Sequence, residues 1–104
     1  TPEPFGKLVN QGMIRSFGCK DTQAIFRLEG SRKFRNIEPA AYRRLVMLDS
    51  ARTLTDLAAM RSNRLEALRG GRAGQYSIRV NDQWRICFAW RENSAWDVEI
   101  VDYH

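Results

Sequence analysis

Metal-ligating and nucleophile-activating residues are scarce in this sequence. It holds one histidine, His104, and two cysteines, Cys19 and Cys87, which lie far apart and in no metal-type spacing. A structural zinc site, built from four Cys or His ligands, does not fit. The cysteines read as free thiols of a reducing cytoplasm rather than as a disulfide. No Ser-His-Asp or Cys-His arrangement can be read from the spacing. No stretch approaches the ~20 apolar residues of a membrane-spanning helix, and no apolar run follows the first charges as it would in a signal peptide. Internal repeats and low-complexity tracts are also missing.

What is present fits one small domain: 104 residues, 43% of them apolar, enough for a modest core. The net charge is +5 and the pI about 9.8. That balance suits a polyanionic partner such as nucleic acid, and equally an ordinary surface with scattered arginines. Its distribution is more informative. Six arginines lie between Arg61 and Arg85 against two acids, Glu66 and Asp82, whereas four acids and no Lys or Arg follow from Glu92 onward. A basic middle and an acidic tail on one small fold point to a local anion site.

Residues 1–12 carry Pro, Gly and polar side chains without a period, and read as an extension, compatible with a vector origin, ahead of a domain over 13–104. "MIRSF" reads as a short strand. Asp21 is placed to cap a short helix through Leu28, with Ala24, Ile25 and Leu28 on one face. "GSRKFRN" reads as a basic, mobile link. "IEPAAYRRLVMLDSA" is the clearest helix, with Pro39 in its first turn and Ala41, Leu45 and Leu48 on one stripe. Thr53 is placed to cap one more helical turn.

After Asn63 the period changes from helical to alternating. Tyr76, Ile78 and Val80 alternate with Gln75, Ser77 and Arg79 along one strand, and Trp84, Ile86, Phe88 and Trp90 alternate with Arg85, Cys87 and Ala89 along the next. A three-residue loop at Asn81–Gln83 pairs Ile78 with Ile86 and Tyr76 with Phe88, and only an odd loop keeps a single apolar face. "NRLEAL" and "WDVEIVDY" read as strands before and after the hairpin. Helices followed by an antiparallel sheet give an α+β domain: a small antiparallel sheet packed against two N-terminal helices.

The same parity sets Arg79 directly across from Arg85, off the core, where like charges repel. Either a tail carboxylate (Glu99 or Asp102) or a phosphate sits between them, or each snorkels into water. As a residue off the core, Arg85 is expected to be dispensable for folding. Glu66, Arg69 and Arg72 lie beside Gly-rich turns that lack the Lys-Ser/Thr ending of a P-loop. Trp84, Trp90 and Trp96 are candidates for base stacking, but the first two alternate with the core face; Tyr103 is the better candidate. The final strand carries Asp102, Tyr103 and His104 to the rim of the arginine face. An imidazole titrating near neutrality beside arginines can support RNA cleavage without a metal, with the 2′-OH as nucleophile. A non-catalytic basic module that partners a DNA-binding protein or ribosomal RNA remains the alternative.

"NRLEALRGGRAGQYSIRVNDQWRICFAW" followed by "VEIVDYH" resembles the HigB branch of the RelE-type toxins of bacterial toxin–antitoxin systems. The resemblance runs from Met13 to His104 and is strongest from Asn63 onward. It implies a cytoplasmic, ribosome-dependent endoribonuclease that cuts mRNA in the A site and needs no cofactor. It implies a helix-turn-helix antitoxin as partner, with operator DNA bound only through the complex. Arg85 matches the arginine that meets the scissile phosphate. Asp102, Tyr103 and His104 match a C-terminal trio, with the tyrosine stacking on a base and the histidine transferring a proton. Arg69 matches a phosphate-binding basic position; Arg79 joins it on the parity argument, and Arg72, beside the Gly-rich turns, is counted with them. Glu66 stands where some relatives carry histidine, the main departure from the family: if that histidine is a general base, either glutamate replaces it here or the toxin is weak.

Overall fold

The structure, a computed structural model, describes residues 12–102. The extension read over 1–12 lies outside it except for Gly12, as do Tyr103 and His104 at the other end. Within the described residues the order is helix α1 (Lys20–Phe26), helix α2 (Glu38–Ser50), helix α3 (Leu54–Ala59), then strands β1 (Glu66–Ala67), β2 (Gln75–Arg79), β3 (Trp84–Arg91) and β4 (Ser94–Asp102). The strands form one antiparallel sheet in the order β1-β2-β3-β4. The α+β architecture is as the change of period after Asn63 implies, with α3 added to the two main helices.

The hairpin register follows the parity argument. Tyr76 faces Phe88, Ile78 faces Ile86 and Arg79 faces Arg85, and the Val80 amide closes the loop by donating to the Trp84 carbonyl at 2.9 Å. Ile78, Ile86 and Phe88 are fully buried against Ala41, Leu45 and Leu48 of α2. Pro39 sits in the first turn of α2, where its missing N–H costs nothing. Thr53 caps α3 in a reciprocal arrangement with Asp56, worth about 1 kcal/mol.

β4 departs from simple alternation. Cys87 faces Glu99 and Ala89 faces Trp96, so both Asp97 and Val98 oppose Phe88. Asp97 takes a left-handed conformation, φ 53°. Ala95 and Val98 are an odd number of residues apart and would face opposite sides of a regular strand; the bulge lets both be buried, each at 0% exposure. "MIRSF" does not form a regular strand. It runs parallel to β4 and touches it through two isolated bridges, Ile14 to Ala95 and Phe17 to Val98. The three-residue step is that of the bulged strand beside it.

Two further sequence expectations are corrected. Cys19, not Asp21, stands at the N-terminal boundary of α1 and makes no side-chain capping bond, Asp21 lies in the first turn, and the buried residues of the helix are Thr22 and Ile25. Leu28 lies past its end at φ 61° and 73% exposure. The Thr22 hydroxyl accepts the Ile100 amide at 3.0 Å, tying the helix to β4. The basic link is also no loose tether. Phe34 is 1% exposed and packs edge-on against Trp84, with ring centroids 5.3 Å apart. The Ser31 amide donates to Glu38 Oε2 at 2.7 Å. Five polar and basic neighbours and a glycine hide this anchor from any periodic pattern.

Candidate active site on the arginine face

The sheet face away from the helices is built in rows. Glu66, Ser77, Cys87 and Glu99 are cross-strand neighbours from β1 to β4, and Arg79, Arg85 and Val101 form the next row. This face is polar but closed. Ser77 is 0%, Cys87 2% and Arg85 6% exposed. The expectation that Arg85 is dispensable for folding because it points off the core is therefore wrong: it lies on the anticipated face, but inside the protein.

What encloses Arg85 explains the burial. Its Nε donates to the Ser77 hydroxyl at 2.8 Å, and its terminal nitrogen donates to the Arg64 carbonyl at 2.5 Å. Glu66 places a carboxylate oxygen 3.7 Å from the same guanidinium. Arg64 ends a short 3-10 turn, Arg61–Asn63, in the left-handed region at φ 45°. A planar guanidinium held at two points cannot rotate, so its remaining donors keep a fixed direction. A half-exposed carboxylate beside a fixed arginine is the geometry in which one group takes a proton while the other stabilises developing negative charge.

The other candidate residues surround this pair. Arg79 turns away from Arg85 and pairs with Asp82. Glu99, offered as a tail carboxylate for the Arg79–Arg85 pair, meets Arg72 instead, at 3.1 Å, and Arg72 also donates to Gln75 at 2.9 Å. Burial foremost pushes the Cys87 thiol above its ordinary value; Arg72 opposes this, Glu99 adds to it and Arg85 opposes it. Cys19 and Cys87 are both free thiols. Arg69 is exposed and lines an open groove of about 590 Å³ with Glu66, Ala67 and Leu68. Asp102, exposed at the end of β4, faces Trp84 and accepts from Gln83 at 3.0 Å. Tyr103 and His104 fall outside the described residues. Trp84 and Trp90 pack on the core, and Trp96 carries Arg91 over its ring at 4.6 Å. No group of three or more potential metal ligands occurs among the described residues.

Sequence reasoning missed Ser77 and the Arg64 carbonyl, which together fix Arg85. Ser77 had a signal: it is a small polar residue between Tyr76 and Ile78, diagonal to an arginine. The Arg64 contact had none, because a backbone oxygen in a left-handed turn leaves no trace in residue types.

Residues 19–104 match the family model of the RelE-like toxin HigB of type II toxin–antitoxin systems. The chain belongs to this HigB-like toxin family. A 60-residue stretch is 43% identical to Toxin HigB-1 of Vibrio cholerae serotype O1 (strain ATCC 39315 / El Tor Inaba N16961), covering 58% of this chain and 63% of that relative. The fold is similar to that in the YoeB-YefM complex from Staphylococcus aureus, with a TM-score of 0.52 at 15% identity, over 88% of this chain and 97% of that one. The toxin thus has the fold that its alternating C-terminal half implied. No helix of the described residues is long and apolar enough to cross a membrane.

Proposed function

We propose that this toxin is a ribosome-dependent endoribonuclease that cleaves mRNA in the A site and so stops translation. The observation that carries the reading is Arg85, pinned by Ser77 and the Arg64 carbonyl with the Glu66 carboxylate 3.7 Å away. The adjoining strand β4 leads from this row to Asp102 and on to Tyr103 and His104.

The reaction suited to these groups is internal transfer by the RNA itself. A base, Glu66 in this reading, takes the proton of a ribose 2′-OH. The oxygen attacks the adjacent phosphorus while the bond to the 5′-oxygen of the next nucleotide breaks. His104 protonates that leaving oxygen, giving a 2′,3′-cyclic phosphate and a free 5′-OH. Arg85 stabilises the charge on the phosphorus centre, a contribution that depends on its being aligned in advance. Because the nucleophile belongs to the RNA, the reaction is proposed to be metal-independent. Arg69, with Arg79 and Arg72, meets neighbouring phosphates, and Tyr103 stacks on a base.

The toxin works in the cytoplasm and is neutralised by a helix-turn-helix antitoxin, whose complex with it binds operator DNA. The similar fold occurs in a two-protein complex, YoeB-YefM, which supports a protein partner. The test is to map mRNA ends after incubation with pure toxin, with and without programmed ribosomes. Cuts confined to ribosome-bound message support the reading. Absence of cutting, with RNA or ribosome binding retained, would make the protein a basic binding module instead.

A further inference from the structure

We infer that Arg44 of α2 joins Arg79 of β2 in a second phosphate-binding clamp for an RNA strand, extending the candidate active site by a residue that lies outside the arginine face. The inference deepens the proposed function and rests on it for the choice of ligand.

Arg44 is held in an unusual way. Its guanidinium donates to Asn63 Oδ1 at 2.6 Å and lies 3.4 Å from the Ser62 hydroxyl through both terminal nitrogens. Asn63 is 0% exposed and is itself locked, its Nδ2 donating to the Leu57 carbonyl at 2.9 Å. Both partners are neutral. Among the described residues no carboxylate pairs with Arg44, so its orientation is fixed while its charge is left unneutralised. Arg43 and Arg79 lie near enough that, after partial burial, their repulsion makes the charged form of Arg44 harder to keep. The counter-ion of Arg79 is weakly held: Asp82 is 98% exposed. A fixed arginine among like charges is stabilised when an anion arrives.

The turn that fixes Arg44 also fixes the active face. Ser62 and Asn63 hold Arg44, and the next residue, Arg64, offers its carbonyl to Arg85. Arg79 faces Arg85 across the strands. One turn therefore fixes two guanidinium groups: Arg85, which faces Arg79 across the strands, and Arg44, which lies near enough to feel the charge of Arg79, so that the three arginines make a basic track rather than a point. A track suits a repeating phosphodiester, and planar guanidinium forks suit its oxygens. An acidic protein segment is the competing ligand.

The experiment measures binding of a sequence-neutral oligouridylate to the full chain over a range of salt, for wild type, Arg44→Gln and Asp82→Asn. Each phosphate contact on a single strand contributes about 0.7 to the slope of log K against log salt. Arg44→Gln is expected to lower that slope by about 0.7 and to weaken binding at every salt concentration. Asp82→Asn, in a fully exposed loop position, is expected to tighten binding a few-fold by freeing Arg79. Arg44→Gln exposes the fold to loss of the Asn63 contact, so its folded fraction is measured at every salt concentration and the slope is taken from binding referred to folded protein. An unchanged slope in Arg44→Gln overturns the proposal, as does unaltered affinity in Asp82→Asn. An unchanged slope with weakened antitoxin binding overturns it too, and assigns these arginines to an acidic protein partner. Loss of binding in Arg44→Gln while wild type cleaves no message would leave the clamp standing and remove the nuclease reading.

Discussion

Arg79 and Arg85 are direct cross-strand partners, yet their side chains part: one leaves the sheet for the exposed Asp82, and the other is drawn inward by Ser77, the Arg64 carbonyl and Glu66. Divergence of the two side chains thus relieves the repulsion between like charges set opposite each other. The result is one arginine in an ion pair at the surface and one held inside the protein.

Arg85→Ala is expected to destabilise the fold as well as abolish activity. It leaves the buried Ser77 hydroxyl and the Arg64 carbonyl without this donor, and each unsatisfied buried group costs about 1–3 kcal/mol. Urea unfolding should show the midpoint falling clearly. An unchanged midpoint would mean that Arg85 does not anchor the turn.

Glu66→Gln keeps the shape of a half-exposed side chain and removes its ability to take a proton. Stability should shift by no more than about 1 kcal/mol. The cleavage rate on ribosomes should fall by about 10² or more. A variant with near-normal rate would transfer the base role to another group, with Asp102 next in line.

Phe34→Ala tests the anchored link. Burying this ring against Trp84 and then truncating it should cost about 3–5 kcal/mol. Thermal unfolding that barely moves would return residues 30–36 to the status of a tether.

Cys87 gives a pH dependence of defined sign. Burial raises its pKa in the folded state above the ordinary value of 9.0. The native protein then holds the thiol proton where the unfolded chain has lost it. The contribution to stability is complete below that value and is lost as pH climbs through the higher folded pKa. Unfolding free energy should fall from about pH 9 upward, and this part of the decline should disappear in Cys87→Ala. A decline that persists unchanged in the variant would assign it to other groups.

Much of this architecture was legible in residue order, for physical reasons. Strand parity is a rigid constraint: a three-residue loop at Asn81–Gln83 admits one register, and that register sets Arg79 opposite Arg85. The α2 stripe of Ala41, Leu45 and Leu48 was equally direct, since three fully buried residues recur at helical spacing. The bulge at Asp97 was not legible, because a left-handed aspartate in a strand shows in no pattern until Ala95 and Val98 are both known to be buried. Nor was the burial of Arg85 legible. Parity says which face a side chain occupies, but not whether a two-residue strand and a backbone carbonyl will close over it.

The central claim is chemical: a fixed arginine beside a carboxylate works with the histidine at position 104 to transfer protons during RNA cleavage. The most direct measurement is the single-turnover cleavage rate of mRNA on programmed ribosomes, wild type against a variant lacking only His104, each normalised to its folded fraction. General acid–base help is worth about 10² to 10⁴ in rate, so a loss within that range is the predicted result. A loss of less than about tenfold would contradict the account, and would leave His104 a positioning residue with the proton-transfer role resting on Glu66 or Asp102.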